Sequence, residues 1–155
     1  MNVEVELFLV AVEQGCESVI RSLEGLPHEA LRWTPAPGAN SLAAIAKHSL
    51  ANAERNLLMT FAGEPYDWRR DEEFLAADET AESLRAAWTA LAARLRASLD
   101  KIPEARLTET LQHPRMGALP GRAVLLQAAR HVSEHVGESK LTRGLLGAHS
   151  NAGSL

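Results

Sequence analysis

Arg122-Ala-Val-Leu-Leu-Gln-Ala-Ala-Arg-His131-Val-Ser-Glu134-His135-Val-Gly-Glu138-Ser-Lys-Leu-Thr142-Arg-Gly-Leu-Leu146 is the stretch whose reading decides the fold. It holds no proline, and Val124, Ala128, His131, His135, Glu138 and Thr142 recur at steps of three and four. Such spacing puts them on one face of a helix, ending at Gly147. Residues four apart lie one turn apart on that face, so both imidazoles can point at one spot. A third histidine, His48, sits among small alanines in another apolar-rich run. Three imidazoles meeting inside a bundle would make a tripod for a divalent metal with an open coordination position. On pattern alone the alternative stays open: two partly exposed histidines that fell four apart by accident.

Three more segments have helical periodicity. Val5, Leu9, Val12, Cys16, Val19 and Leu23 mark the seam of a first helix, which Gly25 and Pro27 stop. The linker from Pro27 to Asn40 carries three prolines and a glycine, and is expected to be extended, with Trp33 folded back over one end of the core. Asn40 or Ser41 caps a second helix that runs to about Ala62 and ends at Gly63. Beside its core stripe lies a second one, Ile45, His48, Asn52, Arg55 and Met59, polar for a face so near the core. Glu64 to Asp78 is a long acidic connection, expected to cross the bundle or cap a pocket, with its charges in solvent. Thr80 caps a third helix with the seam Leu84, Trp88, Leu91, Leu95, Leu99 and Ile102, closed by Pro103. His113 falls in the broken segment that follows, where a loop histidine is a poor candidate ligand. No strand-like alternation of any length occurs. The expectation is an all-α four-helix bundle over residues 1–147, with a flexible tail at 148–155.

The 155 residues suit one domain, and 46% hydrophobic with 23% charged residues is ordinary for a globular chain. A net charge of −4 without a Lys/Arg cluster argues against nucleic acid as a partner. No apolar run is long enough for a membrane span, and the acidic N-terminus is unlike a signal peptide. The single cysteine, Cys16, rules out an internal disulfide, fits a reducing cytoplasm, and on its apolar stripe reads as a core residue.

Neutral imidazole suits Zn, Ni, Fe or Cu, and three such ligands leave room for water or substrate. A metal there could acidify water or polarise a thiol or carbonyl. Glu138, one turn beyond His135, could take a proton from metal-bound water or orient an imidazole from behind. Asn52 and Arg55 could hold an anionic or polar small-molecule substrate over the metal. His131-x-x-Glu134-His135 also spells the inverted zincin motif. That motif needs a further carboxylate well downstream, and Glu134 turns roughly 100° away from His135, so a protease is not expected.

Trp33-x-Pro35-x-Pro37-Gly38-x-Asn40-Ser41, His48 seven residues on, and His131-x-x-x-His135-x-Gly137-Glu138 together resemble the DinB/YfiT-like superfamily. The resemblance spans effectively the whole domain. It implies an up-up-down-down four-helix bundle with a crossover connection, often a homodimer, with a divalent metal held by three histidines. Position by position these are His48, His131 and His135, and Glu138 stands where relatives carry Gln or Glu. Such relatives include stress-associated proteins of unknown activity and S-transferases or isomerases that use a low-molecular-weight thiol. The resemblance therefore implies a metal-dependent thiol S-transferase or hydrolase, or a non-catalytic metal-binding or interaction module.

Overall fold

Asn2 starts the first helix by accepting a hydrogen bond from the Glu4 amide at 2.8 Å. In the computed structural model, which describes residues 1–65 and 69–152, α1 runs Val3–Arg21 and buries Val5, Leu9, Val12, Cys16 and Val19, the seam expected of it. Tyr66 and Trp68 of the acidic connection and the last three residues of the tail lie outside the described residues. The proline-rich linker is not wholly extended, because α2 occupies His28–Arg32. Pro27 sits just outside that helix, where its missing N–H costs nothing.

Ser41 caps α3, Leu42–Ala53, and the same helix continues over Glu54–Ala62 with the wider winding of a π-helix, stopping at left-handed Gly63. The Thr80 and Ser83 side chains cap each other's backbone amides at 3.0 and 2.9 Å and start α4, Ala81–Leu99. A short hairpin follows that the sequence did not suggest. Strands β1, Thr110–His113, and β2, Gly117–Pro120, pair antiparallel with Leu111 and His113 turned inward. Four residues per strand are too few for alternation to stand out. Gly121 then opens α5, Gly121–Ala152, and a Cβ there would lie 2.1 Å from the Arg106 carbonyl oxygen. Only glycine allows the hairpin to turn so sharply into the helix.

The end of α5 corrects a second expectation. The helix passes Gly147, which keeps a negative φ, and reaches Ala152, so residues 148–152 are helical. An interior glycine costs a helix about 1 kcal/mol but does not stop it. His149 stacks on Trp33 with ring centroids 5.5 Å apart, so Trp33 folds back against this end of the chain.

Cross-helix contacts fix the directions. Glu17 pairs with Arg85 and the N-terminus with Asp100, so α1 and α4 are antiparallel. Glu4 meets Arg122 while Arg143 donates to the Ser22 and Glu24 carbonyls, so α1 and α5 are parallel. Asn40 bonds Glu138 and His48 meets His131, which makes α3 antiparallel to α5. Lys47 reaches Glu79 and Glu54 reaches Arg94, so α3 and α4 run together. The four-helix bundle and its crossover are as expected, but the order is up-down-down-up rather than up-up-down-down. Only the link after Gly63 has to travel the length of the bundle, because only α3 and α4 are consecutive and parallel.

Close approach of α1 to α5 depends on Gly15, where an added Cβ would lie 2.7 Å from Val132 Cγ1. Alanine in an exposed helix would gain about 1 kcal/mol over glycine, but overpacking a core costs about 1–3 kcal/mol. We expect Gly15→Ala to be destabilising by about 1–2 kcal/mol in urea unfolding, the clash outweighing helix propensity.

Candidate metal centre

Helix α3 brings His48 to the bundle interior and α5 brings His131 and His135 to the same level. His48 Nε2 lies 2.9 Å from His131 Nε2, which lies 3.1 Å from His135 Nε2. The three rings stand nearly edge to face, with interplanar angles of 77°, 89° and 90°. Residues 48, 131 and 135, proposed as ligands from the sequence, are thus brought together, and could hold one metal ion.

What orients the rings lies behind them. His48 Nδ1 bonds Glu73 at 2.8 Å and His135 Nδ1 bonds Glu138 at 2.7 Å. A carboxylate accepts only, so both imidazoles donate from Nδ1, which leaves Nε2 as the atom turned inward towards a metal. His131 Nδ1 has Glu134 at 3.6 Å. Burial, with the His135 and His48 rings next and the Arg55 and Arg115 charges behind, pushes the His131 imidazole down to about 3, so it is neutral. With Zn–N bonds of about 2.0–2.1 Å, tetrahedral ligand nitrogens stand roughly 3.3 Å apart. The separations here are close to that, and three converging imidazole Nε2 atoms suit a divalent transition ion.

Glu138 is engaged on both oxygens: one accepts from His135 and the other accepts from Asn40 Nδ2 at 3.0 Å. The structure places it behind an imidazole, in the orienting position. Glu73 is the residue sequence reasoning missed. It sits in a single helical turn, Arg70–Phe74, of the crossing connection, yet it is only 5% exposed. Beside its bond to His48 it pairs with Arg55, which is 1% exposed, and Phe74 stacks on the His48 ring at 4.3 Å. The expectation of solvated charges holds for Asp71 and Glu72, which are exposed, and fails for Glu73. Its acidic neighbours gave no hint, because the partners that bury it lie on α3.

Arg55 and Asn52 border a pocket of about 240 Å³ that opens beside His131 and is also lined by Asn56, His113, Arg115 and Gln127. Asn56 donates to the Asn52 backbone carbonyl and Oδ1 at 2.8 and 2.9 Å. His113 therefore belongs to the pocket wall, though not to the tripod. Its Nδ1 accepts from the Arg115 and Met116 amides, both at 3.1 Å, so its proton is on Nε2, which donates to Asn56 Oδ1 at 3.2 Å.

The model of the DinB superfamily matches residues 11–139. The chain belongs to the DinB superfamily. Solved structures agree on the fold. A conserved protein from Enterococcus faecalis is 19% identical at a TM-score of 0.72, covering 94% of this chain and 98% of that one. A DinB-like protein from Bacillus cereus is 19% identical at 0.70, covering 88% and 89%. A mycothiol-dependent maleylpyruvate isomerase is 20% identical at 0.66, covering 89% of this chain, which spans 63% of that protein. No curated protein matches the chain in sequence.

Two outcomes follow from this geometry. Removing a carboxylate that orients a metal-bound histidine costs about 10–100-fold in metal affinity, and we expect Glu73→Gln to weaken zinc binding by that much in a competitive chelator titration. His113 is held below the usual imidazole range by burial first, then by Arg55 and Arg115. Its neutral form is favoured in the fold, so its contribution to stability is present above pH 6.5 and is lost as the pH falls towards the folded-state value. Replacing it, as in His113→Gln, is expected to flatten the decline in the urea midpoint between about pH 7 and 5.

Proposed function

We propose that this DinB-superfamily chain is a divalent-metal-dependent enzyme in which His48, His131 and His135 hold the ion and the adjoining pocket takes a small-molecule substrate. The observation that carries this is the inward set of Nε2 atoms, two of them fixed by carboxylates, at the edge of a polar pocket. A bound Zn, Ni or Fe ion would supply Lewis-acid activation of a thiol or water. The chain's own residues do the rest. Glu73 and Glu138 keep the Nδ1 protons of His48 and His135 and so hold the rings in register. Phe74 covers the His48 ring, and Asn52 and Gln127 offer amides along the pocket wall. The structural likeness to a mycothiol-dependent isomerase supports a low-molecular-weight thiol as co-substrate, hence a thiol S-transferase, with a hydrolase as the water-using version.

A non-catalytic metal-binding module is the competing function; the pocket at His131 speaks for the enzyme. No described helix is long and apolar enough to cross a membrane. We take the chain to act in the cytoplasm as a homodimer, with exposed Val3 and Leu7 on α1 and Leu126 and Leu141 on the parallel α5 as the apolar surface available for it.

Elemental analysis and thiol assays test this together. Wild type is expected to bind about one metal ion per chain, and His135→Ala none, at unchanged helical circular dichroism. Metal-loaded wild type should consume mycothiol, bacillithiol or glutathione in the presence of an electrophile, and light scattering should read twice the chain mass. Equal metal in both proteins removes the metal site; full metal without turnover of thiol or ester favours the module.

A further inference from the structure

The pocket beside His131 has a charge that its surroundings do not share. The chain carries a net charge of −4, yet the pocket is lined by two arginines, two asparagines, a glutamine and two histidines, and among the described residues by no carboxylate. Of the two guanidinium groups, that of Arg55 is paired with buried Glu73. Arg115 has no carboxylate within ion-pair distance among the described residues, and it stands on the β1–β2 turn at the pocket wall.

That turn is held in place. His113 accepts the backbone amides of Arg115 and Met116 on one ring nitrogen and donates from the other to Asn56. Asn56, fully buried, is fixed in turn by Asn52 on α3. A chain of hydrogen bonds thus ties the position of Arg115 to the helix that carries His48. Arginine in such a position is a fork for a carboxylate, with two parallel N–H donors. The volume, about 240 Å³, lies below the range of about 300–1,000 Å³ usual for drug-sized ligands.

We infer that the substrate of this pocket is a small carboxylate, its anionic end received by Arg115 and its other end lying towards His131, with His113 the residue that positions Arg115. The inference rests on the pocket being the substrate site proposed above. Asn52, whose Oδ1 is taken by Asn56, has its amide NH₂ left to give to the same ligand. Arg115 is exposed and makes no side-chain bond within the described fold, so its replacement leaves the bundle intact.

Isothermal titration with succinate and with uncharged succinamide, on chelator-treated and zinc-loaded protein, tests it. Succinate should bind wild type about tenfold or more tighter than succinamide in both forms, the difference made by one charge-assisted contact. Arg115→Ala should bring succinate down to the succinamide level at unchanged zinc content and helical signal, and Arg115→Lys should fall between, keeping the charge without the fork. His113→Ala should weaken succinate too, and the double variant should be no weaker than Arg115→Ala alone. Equal binding of succinate and succinamide overturns the inference, as does a succinate preference that survives Arg115→Ala in the zinc-loaded form. Either result leaves the metal site standing if zinc is bound. Arg115-dependent succinate binding in a protein that takes up no zinc upholds the carboxylate pocket and removes the metal reading instead.

Discussion

Three imidazole rings can turn nitrogen lone pairs towards one point only if each ring's other nitrogen has somewhere to place its proton. In this chain carboxylates from two different parts of the sequence meet that condition for two of the rings, while the third, His131, has Glu134 3.6 Å from its Nδ1. Glu138 lies one turn from His135 on the same helix, while Glu73 arrives from the crossing connection to meet His48. Everything else about the site follows from this proton bookkeeping. Without an acceptor at Nδ1 the rings would be free to tautomerise or to bond one another, and the inward donor set would be lost.

Holding Glu73 in place is costly, and the fold shows how that cost is offset. A buried carboxylate needs a partner, and Arg55, itself buried, supplies one. Burying both is possible because α3 widens into a π-helix over Glu54–Ala62, the stretch that carries Arg55, Asn56 and Thr60 into the interior. Thr60 Oγ1 donates to the Arg55 carbonyl across five residues at 2.9 Å, a contact that suits the wider winding. Departures from α-helical winding of this kind cluster at functional sites, and here the π segment supplies Arg55 and Asn56 to the lining of the pocket that His131 also borders. The crossover connection is therefore more than a link between parallel helices: it delivers the carboxylate that seats His48 and the ring of Phe74 that covers it.

How much of this could be read from the sequence depended on distance along the chain. His131 and His135 were legible because an i, i+4 pair on a periodic helix has only one geometric meaning. The polar stripe of His48, Asn52 and Arg55 was legible for the same reason, and all three are buried on one face. The capping residues Ser41 and Thr80 and the stop at Gly63 are local chemistry and stand where expected. Glu73 was not legible, since both its acidic neighbours, Asp71 and Glu72, are exposed and only a long-range contact separates it from them. His113 looked like a loop residue because strands of four residues give too short an alternation to notice. The helical continuation past Gly147 escaped because glycine marks a stop only when it takes the left-handed conformation, and here it does not. Helix directions, which follow from where the charged pairs of α1, α3, α4 and α5 meet, are tertiary facts with no local signature.

In the function proposed here, the three Nε2 atoms of His48, His131 and His135 bind one ion. X-ray absorption at the zinc edge of the loaded protein tests it most directly. Three imidazole nitrogens at about 2.0–2.1 Å with a further light ligand are expected. A first shell of oxygens alone, with no imidazole scattering beyond it, would contradict it.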